Sequence, residues 1–215
     1  MPESFYIKDC TLSVIATGES AGSLIQMRDI LQHIPDSSIY YHFWGERMRP
    51  SFVHPEYHND FARWAHDVLR DNTLSERLGI LDPTQCSSSD ELRNELIDII
   101  EERIEEIDTM VWSSRESKFH FLRAMIIVFD TGFPVVHPSD LKKAVAQMSA
   151  SSIFYHFVDA RIRPPNRTDD FTAWLEGFNP EYELLIKKIK NIDLYFNTLT
   201  QTKQKLVELL NEQFP

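Results

Sequence analysis

Three residue types that do chemistry recur together in this sequence. Ser38, His42 and Arg49 are followed further along by Ser152, His156 and Arg163. A serine four residues ahead of a histidine shares its helical face, one turn away. A histidine there can take or give a proton near neutral pH. An arginine can grip a carboxylate or phosphate with its planar fork. Such a set suits acid–base work on an oxyanion, or capture of an anionic ligand such as a sugar phosphate or carboxylate. Asp60 and Asp170 are the carboxylates placed to pair with these side chains if no ligand does.

The stretch from Ser37 to Met48 reads as a buried helix. Ile39 and Phe43 cover one side; Tyr40, Tyr41, Trp44 and Met48 cover most of the other. Ser38, His42 and Arg49 fall on the narrow stripe between. The second stretch repeats the plan with Ile153 and Phe157 against Phe154, Tyr155, Val158 and Ile162. A helix apolar nearly all round belongs in a core, and a buried His or Arg is costly unless paired. Two readings therefore stand. In one, Asp60, Asp170 or backbone carbonyls satisfy the stripe and it only holds the fold. In the other, both stripes converge on a pocket that takes an anionic ligand.

Other chemistry is sparse. His54 and His58 have a zinc-like His-x-x-x-His spacing, but Pro55 between them disfavours the helix that spacing needs. Nucleophile elbows, Walker loops and GxGxxG turns are missing. The two cysteines, Cys10 and Cys86, make neither a disulfide framework nor a metal cluster. No metal or cofactor is therefore expected. A net charge of −11 opposes nucleic acid and anionic membranes as partners, and no apolar run nears the length of a membrane span. With no signal peptide at the N-terminus, the expectation is a cytoplasmic protein.

The matching stripes belong to a longer correspondence. Ser38, Ile39, Tyr41, His42, Phe43, Arg47, Arg49 and Pro50 recur 114 residues on, the separation of Ser38 from Ser152. Phe5 and Thr17-Gly18 recur at the same offset. Asp60, Phe61 and Trp64 recur 110 residues on, the separation of Asp60 from Asp170. The expectation is a tandem duplication of a helical unit of about a hundred residues. It gives one domain over 1–215 built from two repeats, about 5–109 and 119–214, related by a pseudo-twofold axis.

The elements that would carry the stripes are mostly helical. Asp90 to Thr109 has apolar residues at helical spacing, with Ser88 and Glu91 as a capping box. Ala21 to Ile34, Ser139 to Met148, Asp60 to Leu69 and Asp170 to Leu175 read as further helices or helix starts. Phe5 to Ala16 and Phe119 to Asp130 read as strands that stop at Thr17-Gly18 and Thr131-Gly132. These strands can pair antiparallel if the repeats face each other. The expected class is mainly α with a small β component.

The runs Phe5-Tyr-Ile-Lys-Asp-Cys10, Ser38-Ile-Tyr-Tyr-His-Phe-Trp44, Asn59-Asp-Phe-Ala62, Phe129-Asp-Thr-Gly132 and Ser152-Ile-Phe-Tyr-His-Phe157 resemble a bacterial and archaeal family known only as a domain of unknown function. The resemblance spans essentially the whole chain and implies a stand-alone protein of this size. It implies no activity, cofactor or catalytic residue. The residues themselves favour a non-catalytic binding or adaptor module for a protein partner or a small anionic ligand. The alternatives are an enzyme using His42 or His156 with Arg49 or Arg163, and a purely structural subunit.

Overall fold

A computed structural model of the chain describes residues 3–48, 57–107, 117–163, 167–178 and 180–214. Arg49 and His54 lie outside the described residues. The elements run β1 (Phe5–Ala21), α1 (Leu24–Leu31), α2 (Asp36–Trp44), α3 (Asp60–Trp64), α4 (Asn72–Gly79), α5 (Ser89–Glu106), β2 (Phe119–Val135), α6 (Leu141–Gln147), α7 (Ala150–Ile153), α8 (Asp170–Glu176), α9 (Glu183–Lys190) and α10 (Leu199–Gln213). A π turn extends α3 over Ala65–Leu69, and another extends α7 over Phe154–Val158.

The fold class is mixed α/β, not mainly α, and the tandem duplication is not what the architecture shows. Two observations account for the correction. First, β1 and β2 are each 17 residues long and pair as an antiparallel ribbon. Second, the chain does not divide into consecutive halves. A central unit comprises Leu12–Met125, and a terminal unit comprises Met1–Thr11 with Ile126–Pro215. The division falls inside both strands, so each unit holds part of β1 and part of β2.

The strands outrun their expected ends because glycine lets them. Thr17-Gly18 and Thr131-Gly132 were natural turns on sequence, yet both glycines lie within strands at φ +91° and +74°. A strand can pass through a left-handed residue as a local kink when that residue is glycine. No atom lies within 4 Å of where a Cβ would stand on either one. The requirement is therefore on the backbone and not on space. The neighbouring threonines fasten the pairing. Thr17 Oγ1 donates to the Phe121 carbonyl at 2.7 Å within the central unit, and Thr131 Oγ1 donates to the Ile7 carbonyl at 2.6 Å within the terminal unit.

In the central unit α2 is the buried helix, with Ile39, Tyr41, Phe43 and Trp44 almost wholly enclosed. Helix α5 covers α1 and α2 with Leu92, Leu96 and Ile100. Its N-terminus is the expected one with a difference. Ser88 accepts the Glu91 N–H at 3.0 Å, while the Glu91 carboxylate reaches back to Ser87. In the terminal unit the buried segment is α7 with its π turn, where Phe154, Phe157 and Val158 are fully enclosed. Helix α10 lies against α6 and α7 behind a complete capping box formed by Thr198 and Gln201. No helix among the described residues is long and apolar enough to cross a membrane.

Replacing Gly18 or Gly132 by alanine forces a side chain into a left-handed conformation at a cost of about 1–2 kcal/mol each. Chemical denaturation should read this loss without a change in m-value. Equal stability of either alanine variant would show that the strand does not depend on that φ.

Candidate functional site

In each unit the stripe's serine and histidine close on one strand residue. In the central unit Ser38 and His42 sit one turn apart on α2, facing β2. The Ser38 hydroxyl donates to the Leu122 carbonyl at 2.7 Å, and the Leu122 N–H donates to His42 Nε2 at 3.0 Å. Behind the ring, His42 Nδ1 lies 2.7 Å from the Asp60 carboxylate. Asp60 is placed by the start of α3. Asn59 caps that helix by accepting the Ala62 N–H at 2.8 Å, and its own amide donates to the Leu78 carbonyl at 2.9 Å. Arg63 holds the second Asp60 oxygen.

The terminal unit makes the corresponding contacts with Ser152, His156 and Asp170. Ser152 Oγ donates to the Lys8 carbonyl at 2.7 Å, and the Lys8 N–H donates to His156 Nε2 at 2.8 Å. His156 Nδ1 lies 2.8 Å from Asp170 at the start of α8. Here Arg163 is the cation on the aspartate. It donates to Asp170 and to the Tyr155 hydroxyl, both at 2.9 Å, and to the Tyr155 carbonyl at 3.1 Å. Its guanidinium also pairs with Asp159 at 2.9 Å and lies over the Tyr155 ring.

This geometry fixes the protonation of both rings. A peptide N–H can only donate, so Nε2 must present its lone pair. An ionised carboxylate can only accept, so Nδ1 must carry the hydrogen. Both histidines are thus held as one neutral tautomer, each with only 3% of its side chain exposed. Aromatic rings close the remaining sides. Phe119, Phe61 and Phe121 surround His42, and Phe5 and Phe171 flank His156. The residue types match a Ser–His–Asp relay, but the connections do not. In a relay Nε2 activates the hydroxyl; here Nε2 and the hydroxyl each bind the main chain of the same strand residue.

The expected site residues are therefore placed as follows. Ser38, His42 and Asp60 come together in the central unit, and Ser152, His156, Arg163 and Asp170 in the terminal unit. Each set closes on a strand residue of its own unit. His58 is described, His54 is not, and no cluster of three or more His, Cys, Asp or Glu able to hold a metal occurs among the described residues. Cys10 offers no nucleophile: burial, then the neighbouring Asp9, push its thiol up to about 12, and its Sγ donates to the Ser151 carbonyl.

Sequence reasoning missed a second buried pair. Asp169, wholly enclosed, accepts from Arg161 at 3.1 Å and caps α8 by accepting the Thr172 N–H at 2.8 Å. Arg161 also donates to the Ile189 carbonyl at 3.0 Å and stacks on Phe157. Burial raises the Asp169 carboxyl, with Arg161 opposing, and burial lowers the Arg161 guanidinium. The available signal was Asn59, which occupies the matching position ahead of Asp60 and caps α3 as a neutral residue.

Truncating a clamp histidine removes two buried hydrogen bonds and leaves a strand N–H and a carboxylate without it. His42→Ala and His156→Ala should each lower stability by about 2–4 kcal/mol, and Ser38→Ala or Ser152→Ala by about 1–2 kcal/mol. Urea denaturation measures both. A histidine variant as stable as wild type would show that the clamp contributes nothing to folding.

The comparisons with known proteins agree with a shared fold and carry no activity. The solved structure of OrfY from Thermoproteus tenax is 25% identical to this chain, covers 98% of it and 95% of its own length, and superposes with a TM-score of 0.84. No protein with a curated description matches. A family model described as a family of unknown function, DUF5752, matches residues 2–211, and the chain belongs to that family.

Proposed function

We propose that this protein is a non-catalytic binding module that engages a protein partner through the β2 strand of its terminal unit. The observation that carries this reading is the exposure of Ile127, Val128, Phe129 and Phe133, at 50, 41, 49 and 68%. Successive strand residues point to opposite faces. Ile127 and Phe129 therefore share one face while Val128 is on the other, and both faces carry apolar surface. Tyr6 of β1 and Val136 just beyond β2 are exposed as well. Single exposed apolar residues are ordinary, but a cluster of this kind marks an interaction surface. Strands with exposed apolar side chains are also a common receiving surface for partner segments.

The polar clusters support a binding role over chemistry. Both nitrogens of His42 and His156 are committed to the chain itself, and Arg163 is engaged by Asp159, Asp170 and Tyr155. A small anionic ligand would have to displace those contacts, which makes a protein partner the better reading.

The test uses a photo-crosslinking residue at Phe133 in the full chain, expressed in its own organism, with Ile80 on the central unit as the control. Ile80 is 76% exposed and caps the C-terminus of α4. The expected result is one defined adduct at Phe133, absent at Ile80 and lost on adding Ile127→Ser and Phe129→Ser. Those exposed substitutions should leave stability within about 0.5 kcal/mol. Identical adducts at both positions, or none at either, would remove the basis for the proposal.

A further inference from the structure

We propose that the two Ser–His clamps are acid-sensitive latches, releasing the Leu122 and Lys8 segments of the ribbon from their helices when the imidazoles take up a proton. Proton and strand compete for the same lone pair. His42 Nε2 accepts the Leu122 N–H, and His156 Nε2 accepts the Lys8 N–H. A proton on Nε2 sets one N–H against another, so the bond is lost and the strand residue must withdraw. The serine contact from Ser38 or Ser152 alone then faces the strand carbonyl.

The groups facing each ring set the direction. Around His42, α3 supplies Asp60 with Arg63 upon it, α2 supplies Tyr41, and β2 supplies the uncharged Phe119, Phe121 and the Leu122 N–H. Around His156, α8 supplies Asp170 and Phe171, and Arg163 sits on that aspartate with Asp159 behind it. Tyr155 lies beside the ring, and β1 supplies Phe5 and the Lys8 N–H. An aspartate alone would favour the charged imidazole and keep the ring in place. The strand N–H demands the neutral one. The imidazolium therefore stays with its aspartate and loses the strand. The latched form binds one proton fewer per clamp than the released form, so latching is complete at higher pH and weakens as pH falls.

Amide hydrogen exchange on the full-length protein tests this. On lowering the pH from about 8 to about 5, protection at Leu122 and Lys8 should fall roughly tenfold or more after correction for intrinsic rates, following one proton per clamp. Leu96 and Ile100 in α5 should hold theirs. In His42→Gln with His156→Gln, the side-chain amide oxygen accepts without titrating, and the pH dependence should disappear. Ring nitrogen NMR of the wild type gives an independent reading, with Nε2 gaining its proton in step with the loss of protection. The proposal is overturned by protection that does not change with pH, by an equal fall in the glutamine variant, or by rings that protonate while both amides stay protected. If the glutamine variant does not fold, the two wild-type measurements decide between release and retention.

Discussion

A two-stranded ribbon has two outer edges, and every second residue on each edge directs its N–H and C=O away from the partner strand. Ribbons of this size are marginal alone, and an unpaired peptide group in an apolar setting costs about as much as a lost hydrogen bond. This protein meets the constraint with side chains. Where Leu122 and Lys8 face a buried helix, a serine supplies the donor and a histidine, one turn on, supplies the acceptor. The pair imitates the edge of a third strand. Helices present no such edge, since their own main-chain groups are used internally.

The choice of histidine follows from that role. An acceptor aimed at an N–H from a helix must be long enough to reach and must not rotate out of line. Neutral imidazole does both if its other nitrogen is tied down, and Asp60 and Asp170 tie it. Those carboxylates need partners of their own in a partly buried setting, which is the work of Arg63 in one unit and Arg163 in the other. The cations come from different places. Arg63 is three residues beyond its aspartate on the same helix, while Arg163 comes from the segment ahead of α8 and also anchors Tyr155. The segments carrying the histidines differ too: His42 lies in a regular α-helix and His156 in a π turn. The same main-chain contact is thus reached by two local conformations, so the contact, and not the helix type, is the fixed element.

Much of this was legible from residue types. The apolar faces of α2 and α5 require burial, the stripe of Ser38 and His42 requires partners, and Asp60 and Asp170 were the evident carboxylates. Three things were not legible, each for a physical reason. The acceptors and donors opposite Ser38, His42, Ser152 and His156 are main-chain atoms, which have no side-chain signature at Leu122 or Lys8. Glycine at 18 and 132 suggests a turn, but the same φ freedom lets a paired strand continue through a kink. Only long-range pairing, invisible in a local window, decides between them. The fold class was misjudged for the same reason. Correspondence between two stretches of sequence says nothing about which segments pack together, and here Met1–Thr11 packs with Ile126–Pro215.

The clamps also explain why apolar surface on β2 is tolerated where it is. Satisfying Lys8 on β1 anchors that strand of the terminal unit to α7 and α8, with Phe5 sealed against His156, Phe171 and Trp174. Ile127, Val128, Phe129 and Phe133 stay exposed among the described residues, on a strand paired with β1. A strand of that composition left unanchored would be prone to slip register or to pair with other chains. Fixing its neighbour by both polar groups of one residue sets the register without covering the side chains.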